Sequence, residues 1–224
     1  SILALSRLSS DAATISALAR LARENDDRDV YLRHAVALAW ERFAQTLGQD
    51  FLRPLAQDSS TPVRRAALLT YRRLRSPEIS VALVDRDPGL VAETVRAIHD
   101  LPIVAALPAL AALSTSLDQL DPATGRRVVN ARYRLGRTED AEALADVGLN
   151  SRVSEVLRRE ALALLAEWTQ PRPMERITGR WDPLPARSEQ AAVAATQRLL
   201  PDLLANSPDA VKATAIGLAG RYQI

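Results

Sequence analysis

Apolar residues recur along this chain with a helical period, and the same pattern returns six times without gaps. The segments are "LRHAVALAWER" from Leu32, "VRRAALLTYRR" from Val63, "VAETVRAIHDL" from Val91, "GRRVVNARYRL" from Gly125, "LRREALALLAE" from Leu157 and "VKATAIGLAGR" from Val211. Apolar positions fall near offsets 0, +4, +7 and +8, which is one buried stripe on a helix. The starts lie 31, 28, 34, 32 and 54 residues apart. The first four spacings each fit one two-helix unit. Start signals precede most segments: Pro62 before Val63, Pro88 before Leu90, Asp121–Pro122 before Gly125 and "NSPD" before Val211. Ser or Asp as N-cap with Pro in the first turn is the chemistry a helix start needs.

Each repeated segment reads as the second helix of a pair. The first helices are "AATISALARLARE", "GQDFLRPLAQ", "PEISVALV", "PIVAALPALAAL", "EDAEALADVG" and "SEQAAVAATQRLLPDLLA". The pattern predicts about a dozen helices and no strand, an all-α chain. A pair of this size cannot bury its apolar face alone, so pairs must stack on a shared core. The expected architecture is a HEAT-like α-solenoid, a right-handed superhelix of about six helix pairs, forming one domain over residues 1–224. The W-x2-L-G-x2-Y signature of a TPR array is missing, and the Asp-Pro-x-Val-Arg-like starts favour HEAT-type repeats.

The last spacing is too long by about 22 residues. The excess is "TQPRPMERITGRWDPLPARS", residues 169–188. Pro171, Pro173, Pro183 and Pro185 keep much of it out of helix. It also holds Trp181 and four arginines, Arg176 and Arg180 among them. An insertion this long either packs over its own repeats, which would bury Trp181, or docks a neighbouring domain, which would leave Trp181 exposed.

Composition narrows the chemistry. Aromatic residues are only 4% of the chain, so the core must be built from Ala, Leu and Val. There is no cysteine. Disulfides, thiolate metal sites, a Cys nucleophile and haem attached through C-x-x-C-H are excluded within this chain. Net charge is +2, from 29 basic and 27 acidic residues. That balance argues against nucleic acid as a partner, although local arginine patches can still form. No stretch reaches the 18 or so apolar residues a membrane span needs. The chain begins at Ser1 in apolar-periodic sequence and stops at "GLAGRYQI" without a capping signal, so it reads as a piece of a longer protein.

Four groups of residues are candidates for function. The first is His99–Asp100, one of only two histidines beside a carboxylate. Neighbours on a helix point about 100° apart, so Asp100 is expected to orient His99 poorly. Pro102 should end the helix there, leaving His99 at a helix-to-helix corner. The second group is the +8 column, Trp40, Tyr71, His99 and Tyr133, continued by Leu165 and Ala219. It is either a seam of flat side chains between repeats or an aromatic lining of a concave face. The third is the +1 column of Arg33, Arg64, Arg126, Arg158 and Lys212, with Asp29, Asp58, Asp87, Asp121 and Asp209 upstream. It reads as an Arg–Asp ladder or as a row for anions. The fourth is the arginine-rich helix ends, Arg72, Arg73 and Arg75, then Arg132, Arg134 and Arg137. These complement helix dipoles, or form a basic ridge. No catalytic or metal-ligating residue is assigned, since no H-x-x-x-H or H-E pair occurs.

"DVYLRHAVALA", "LVAETVRAIHDLPI", "RRVVNARYRLGRTEDAEALA", "LRREALALLAEW" and "PRPMERITGRWDPLPAR" together resemble the HEAT repeats of one family. These are large secreted bacterial proteins of the PVC-type haem-binding or membrane-bound dehydrogenase family. "RAIHDLPI" and the Trp-Pro-Arg segment at 168–187 are the most specific parts. The resemblance implies a linker between a sugar-dehydrogenase-like β-propeller and a C-terminal cytochrome c domain. It implies haem c elsewhere in the parent protein, no cofactor in this segment, and an extracytoplasmic setting. Neighbouring domains of the same polypeptide, or another protein, are the implied partners. The segment would be a non-catalytic spacer. A stand-alone protein- or peptide-binding module is the alternative, and a nucleic-acid-binding HEAT-like protein a third.

Overall fold

A computed structural model describes residues 10–224. The apolar start at Ser1 lies outside the described residues. Eleven α-helices and three 3-10 helices are present among the described residues, with no strand beyond one isolated bridge between Met174 and Trp181.

The chain divides into two compact units, one ending at Ala106 and one beginning at Leu107. The first unit holds α1 (Ala12–Asn25), α2 (Val30–Leu47), α3 (Leu52–Leu55), α4 (Thr61–Leu74), a 3-10 helix at Pro77–Val84, α5 (Pro88–Asp100) and a 3-10 turn at Val104–Ala106. α2 packs on α1 and α4, and α4 on α5 and the 3-10 helix. Trp40, Phe43, Leu52, Leu68, Ile79, Leu90 and Ile98 fill its core. The second unit holds α6 (Leu107–Ala112), a 3-10 helix at Leu113–Gln119, α7 (Pro122–Leu135), α8 (Thr138–Leu149), α9 (Glu155–Ala166), α10 (Gln190–Asn206) and α11 (Asp209–Tyr222). α9 lies against α7, α8 and α11, and α8 against α10. Leu110, Leu144, Leu157, Leu162 and Trp168 are enclosed there.

All six repeated segments are helical, and their starts are capped as the sequence predicts in several cases. The Asp29 carboxylate accepts from the amides of Tyr31 and Leu32, Asp87 from Gly89, and Asp121 from Ala123 and Thr124. α5 ends at Asp100 before Pro102.

Three of the first helices differ from expectation. Residues 48–57 give only the four-residue α3, residues 77–84 a 3-10 helix, and residues 102–113 a 3-10 turn followed by the short α6. Each segment carries proline near its start or inside it, and none has the length that pays back helix nucleation in isolation. The 3-10 geometry covers more distance per residue and suits such short pieces.

Candidate functional site

His99 and Asp100 are closer partners than the sequence suggests. His99 Nδ1 lies 3.0 Å from Asp100 Oδ1. Asp100 is the last residue of α5, where the short carboxylate can turn back toward the preceding ring. The pair still has no access to substrate, because the His99 side chain is 0% exposed. A general base must reach the proton it removes. His99 is therefore a core residue at the end of α5.

The rest of the column is also interior. Trp40, Tyr71 and Tyr133 are buried, as are Leu165 and Ala219. These side chains pack inside their units and form no open lining. Burial pushes the phenols of Tyr71 and Tyr133 up to about 12, so both stay neutral. The Tyr133 hydroxyl donates to the Glu167 carbonyl at 3.0 Å.

The arginine ladder exists, but with different acids. Arg64 makes a two-pronged contact with Asp85, at 2.7 and 3.0 Å. Arg33 and Arg65 share Asp27. Asp27 and Asp85 each stand two residues before an N-cap aspartate, Asp29 or Asp87. Asp29, Asp87 and Asp121 serve their helix amides. Arg126 contacts Glu160 at 3.5 Å. Arg158 has no ladder acid: buried, it donates to the Gly148 carbonyl and the Ser207 hydroxyl. Burial lowers its pKa from the ordinary arginine value.

Most arginines at helix ends and in the insertion are likewise committed inside the protein. Arg132 binds Asp140 and Ser114. Arg134 binds Asp182 at 2.6 Å, and Arg180 holds the same carboxylate at 3.0 Å. Arg176 reaches Glu160 and Glu167 on α9 and just beyond it. These contacts fasten residues 169–188 over α7 and α9. Inside the insertion the Glu175 amide donates to the Arg180 carbonyl, and the Asp182 amide to the Pro173 carbonyl. The Glu175 carboxylate closes the turn by accepting from the amides of Ile177 and Thr178.

Arg187, which the sequence did not single out, locks the far end of the insertion. Its guanidinium carbon sits 4.9 Å from the Tyr133 ring centre and 4.8 Å from that of Trp168. The two rings meet edge to face at 6.2 Å. Such cation–π contacts strengthen when desolvated. Burial lowers the Arg187 pKa from its ordinary value, opposed by Tyr133 and Asp140. Gly136, at φ +70, ends α7 directly against this group: a Cβ there would lie 2.5 Å from Arg187 Cζ. Gly179, at φ +66, has open space around it. Gly136→Ala is expected to cost about 3 kcal/mol, from the left-handed conformation plus the clash. Gly179→Ala is expected to cost about 1 kcal/mol. Urea denaturation of the two variants measures the difference.

The insertion thus packs on its own unit through arginines, yet Trp181 is 67% exposed. Burial of Trp181, expected for own-unit packing, is not found. The two readings of the loop separate by residue: arginines anchor it and the indole faces outward. Met174, its partner across the single bridge, is also exposed.

Of the nominated basic residues, Arg73 pairs with Glu41, whereas Arg72 has no ion-pair partner among the described residues. Arg72 and Arg73 line a cavity of about 370 Å³ in the first unit, with His34, Glu41, Leu69, Arg75 and Leu101. His34, the second of the two histidines, is thereby brought beside the arginines.

No group of three or more His, Cys, Asp or Glu that could hold a metal occurs among the described residues. Among them, no helix is long and apolar enough to cross a membrane. Comparisons with protein families, with curated proteins and with solved structures gave no match.

Proposed function

We propose that this chain is a non-catalytic scaffold, a HEAT-type solenoid of stacked helix pairs that serves as spacer and interaction platform in a larger redox protein. Its role is geometric: it sets the distance and orientation between a substrate-oxidising domain and a haem domain outside the cytoplasm. The resemblance of the residue pattern to the secreted dehydrogenase family motivates the redox setting. The observation that carries the platform reading is the insertion. Arg134, Arg176 and Arg187 fasten it to its own unit, while the paired Trp181 and Met174 face outward. An exposed aromatic is the kind of anchor on which docking energy concentrates.

The test uses the full-length polypeptide. Cross-linking is expected to join a flanking domain to residues 174–181. Trp181→Ala should weaken that docking about tenfold or more and slow haem reduction by substrate. Unchanged electron transfer after deletion of the repeats would overturn the spacer role. A reading frame without a C-x-x-C-H segment would leave only the interaction platform.

A further inference from the structure

We propose that the first unit binds a small organic oxyanion in the cavity between α2, α4 and the end of α5. This inference stands apart from the scaffold reading and uses a different unit from Trp181.

Three observations carry it. The first is charge. On α4, Leu69, Arg72 and Arg73 share one face at helical spacing, and Arg75 follows at the C-cap. On α2, His34 and Glu41 lie two turns apart on the face opposite. Glu41 is the only acid in the lining and is held by Arg73. Arg72 and Arg75 have no carboxylate partner among the described residues. The C-terminal ends of α4 and α5 each contribute about half a negative charge. Those partial charges do not balance two free guanidinium groups, so the cavity stays positive.

The second observation is size. At about 370 Å³ the cavity falls at the lower end of the range for small-molecule sites and is larger than a bare inorganic ion needs. The third is the mixed lining. Leu69 and Leu101 supply apolar surface beside the arginines. Arginine forks match the oxygen spacing of carboxylates and phosphates. A ligand that joins a charged oxyanion to a short organic body satisfies both halves of the lining. Arg132, Arg134, Arg176 and Arg180 differ in being spent on internal carboxylates.

The site makes a contrast between two pairs of arginines. Arg72→Gln/Arg75→Gln removes the two unpaired cations of the cavity and keeps their stems. Arg152→Gln/Arg159→Gln removes the same charge from exposed positions in the second unit. Circular dichroism confirms that both variants are folded. Isothermal titration of the whole chain uses three probes: inorganic phosphate, glucose 6-phosphate and succinate.

The expected result is saturable one-to-one binding of at least one organic probe, with Kd about 1 mM or tighter. The cavity variant should lose at least about tenfold in affinity, since each lost contact is a charge-assisted hydrogen bond. The control variant should bind as the native chain does. Binding of glucose 6-phosphate without succinate assigns the oxyanion to a phosphoryl group, and the reverse assigns it to a carboxylate. No saturable binding of either organic probe, or equal losses in the two variants, would overturn the proposal. Binding confined to a long polyanion such as heparin would overturn it as well.

Discussion

Replacing Asp85 by alanine should destabilise the first unit by about 3–5 kcal/mol, among the largest single losses this protein can show. Asp85 and Arg64 are both buried, with side chains 6% and 5% exposed. The carboxylate accepts from Arg64 Nε and Nη2 and from the Asp87 amide. Arg64 also donates to the carbonyls of Asp58 and Ser59 and to Thr61. Without Asp85 the buried guanidinium loses its only directly bonded carboxylate and keeps carbonyls, Thr61 and the weaker, more distant pull of Asp58 and Asp87. Removing both partners is a different matter: Arg64→Met/Asp85→Leu should lose much less than Asp85→Ala alone, because no charge is stranded. Urea denaturation followed by circular dichroism reads both. A loss below about 1 kcal/mol for Asp85→Ala would reduce the pair to an ordinary surface contact.

The same pair sets a pH response with a definite sign. Burial pushes the Asp85 carboxyl up, but the bonds from Arg64 and the Asp87 amide outweigh this and leave it below its ordinary value. A depressed carboxylate stabilises fully above its unfolded pKa of about 4 and loses that contribution as pH falls through the lower folded value. Stability of the native chain should therefore fall below about pH 4, with a shallower fall in the double variant.

Much of the fold is legible in the sequence because it rests on local signals. Asp87–Pro88 and Asp121–Pro122 mark helix starts that the structure reproduces. Pro102 ends α5 after Asp100 as its ring chemistry requires. The ladder was visible only as a column of acids. A carboxylate just before a helix is claimed by the first-turn amides, so the acid left for Arg64 stands two residues earlier, at Asp85. That choice depends on where Arg64 lies in space, which periodicity does not encode. The candidate sites were harder for the same reason. Arg72 and Arg134 look alike in sequence, each near the end of a helix rich in arginine. Arg134 meets Asp182, 48 residues away, and Arg72 meets no acid among the described residues. Likewise Arg187 gains its role only when Tyr133 and Trp168 close around it.

Asp140→Ala is expected to cost the second unit about 3–5 kcal/mol as well, through a neighbouring logic. Asp140 is 0% exposed. One oxygen accepts from Arg132 Nη1 at 3.0 Å, and the other from the Arg137 amide and its Nε. One side chain thereby anchors the start of α8 to the end of α7. Burial pushes this carboxyl up, and the bonds from Arg137 and Arg132 bring it below its ordinary value, so it is charged at neutral pH. Asp140→Asn keeps the volume and one acceptor, but turns the second oxygen into a donor facing a cation. It should recover less than half of the loss. Asp146 gives the contrast: it pairs with Arg198 at 2.7 Å, yet both side chains are at least half exposed. Asp146→Ala should change stability by no more than about 0.5 kcal/mol. Denaturation curves for the three variants separate a carboxylate that joins two helices from one that only decorates their surface. Equal losses at Asp140 and Asp146 would mean that burial contributes nothing to the difference.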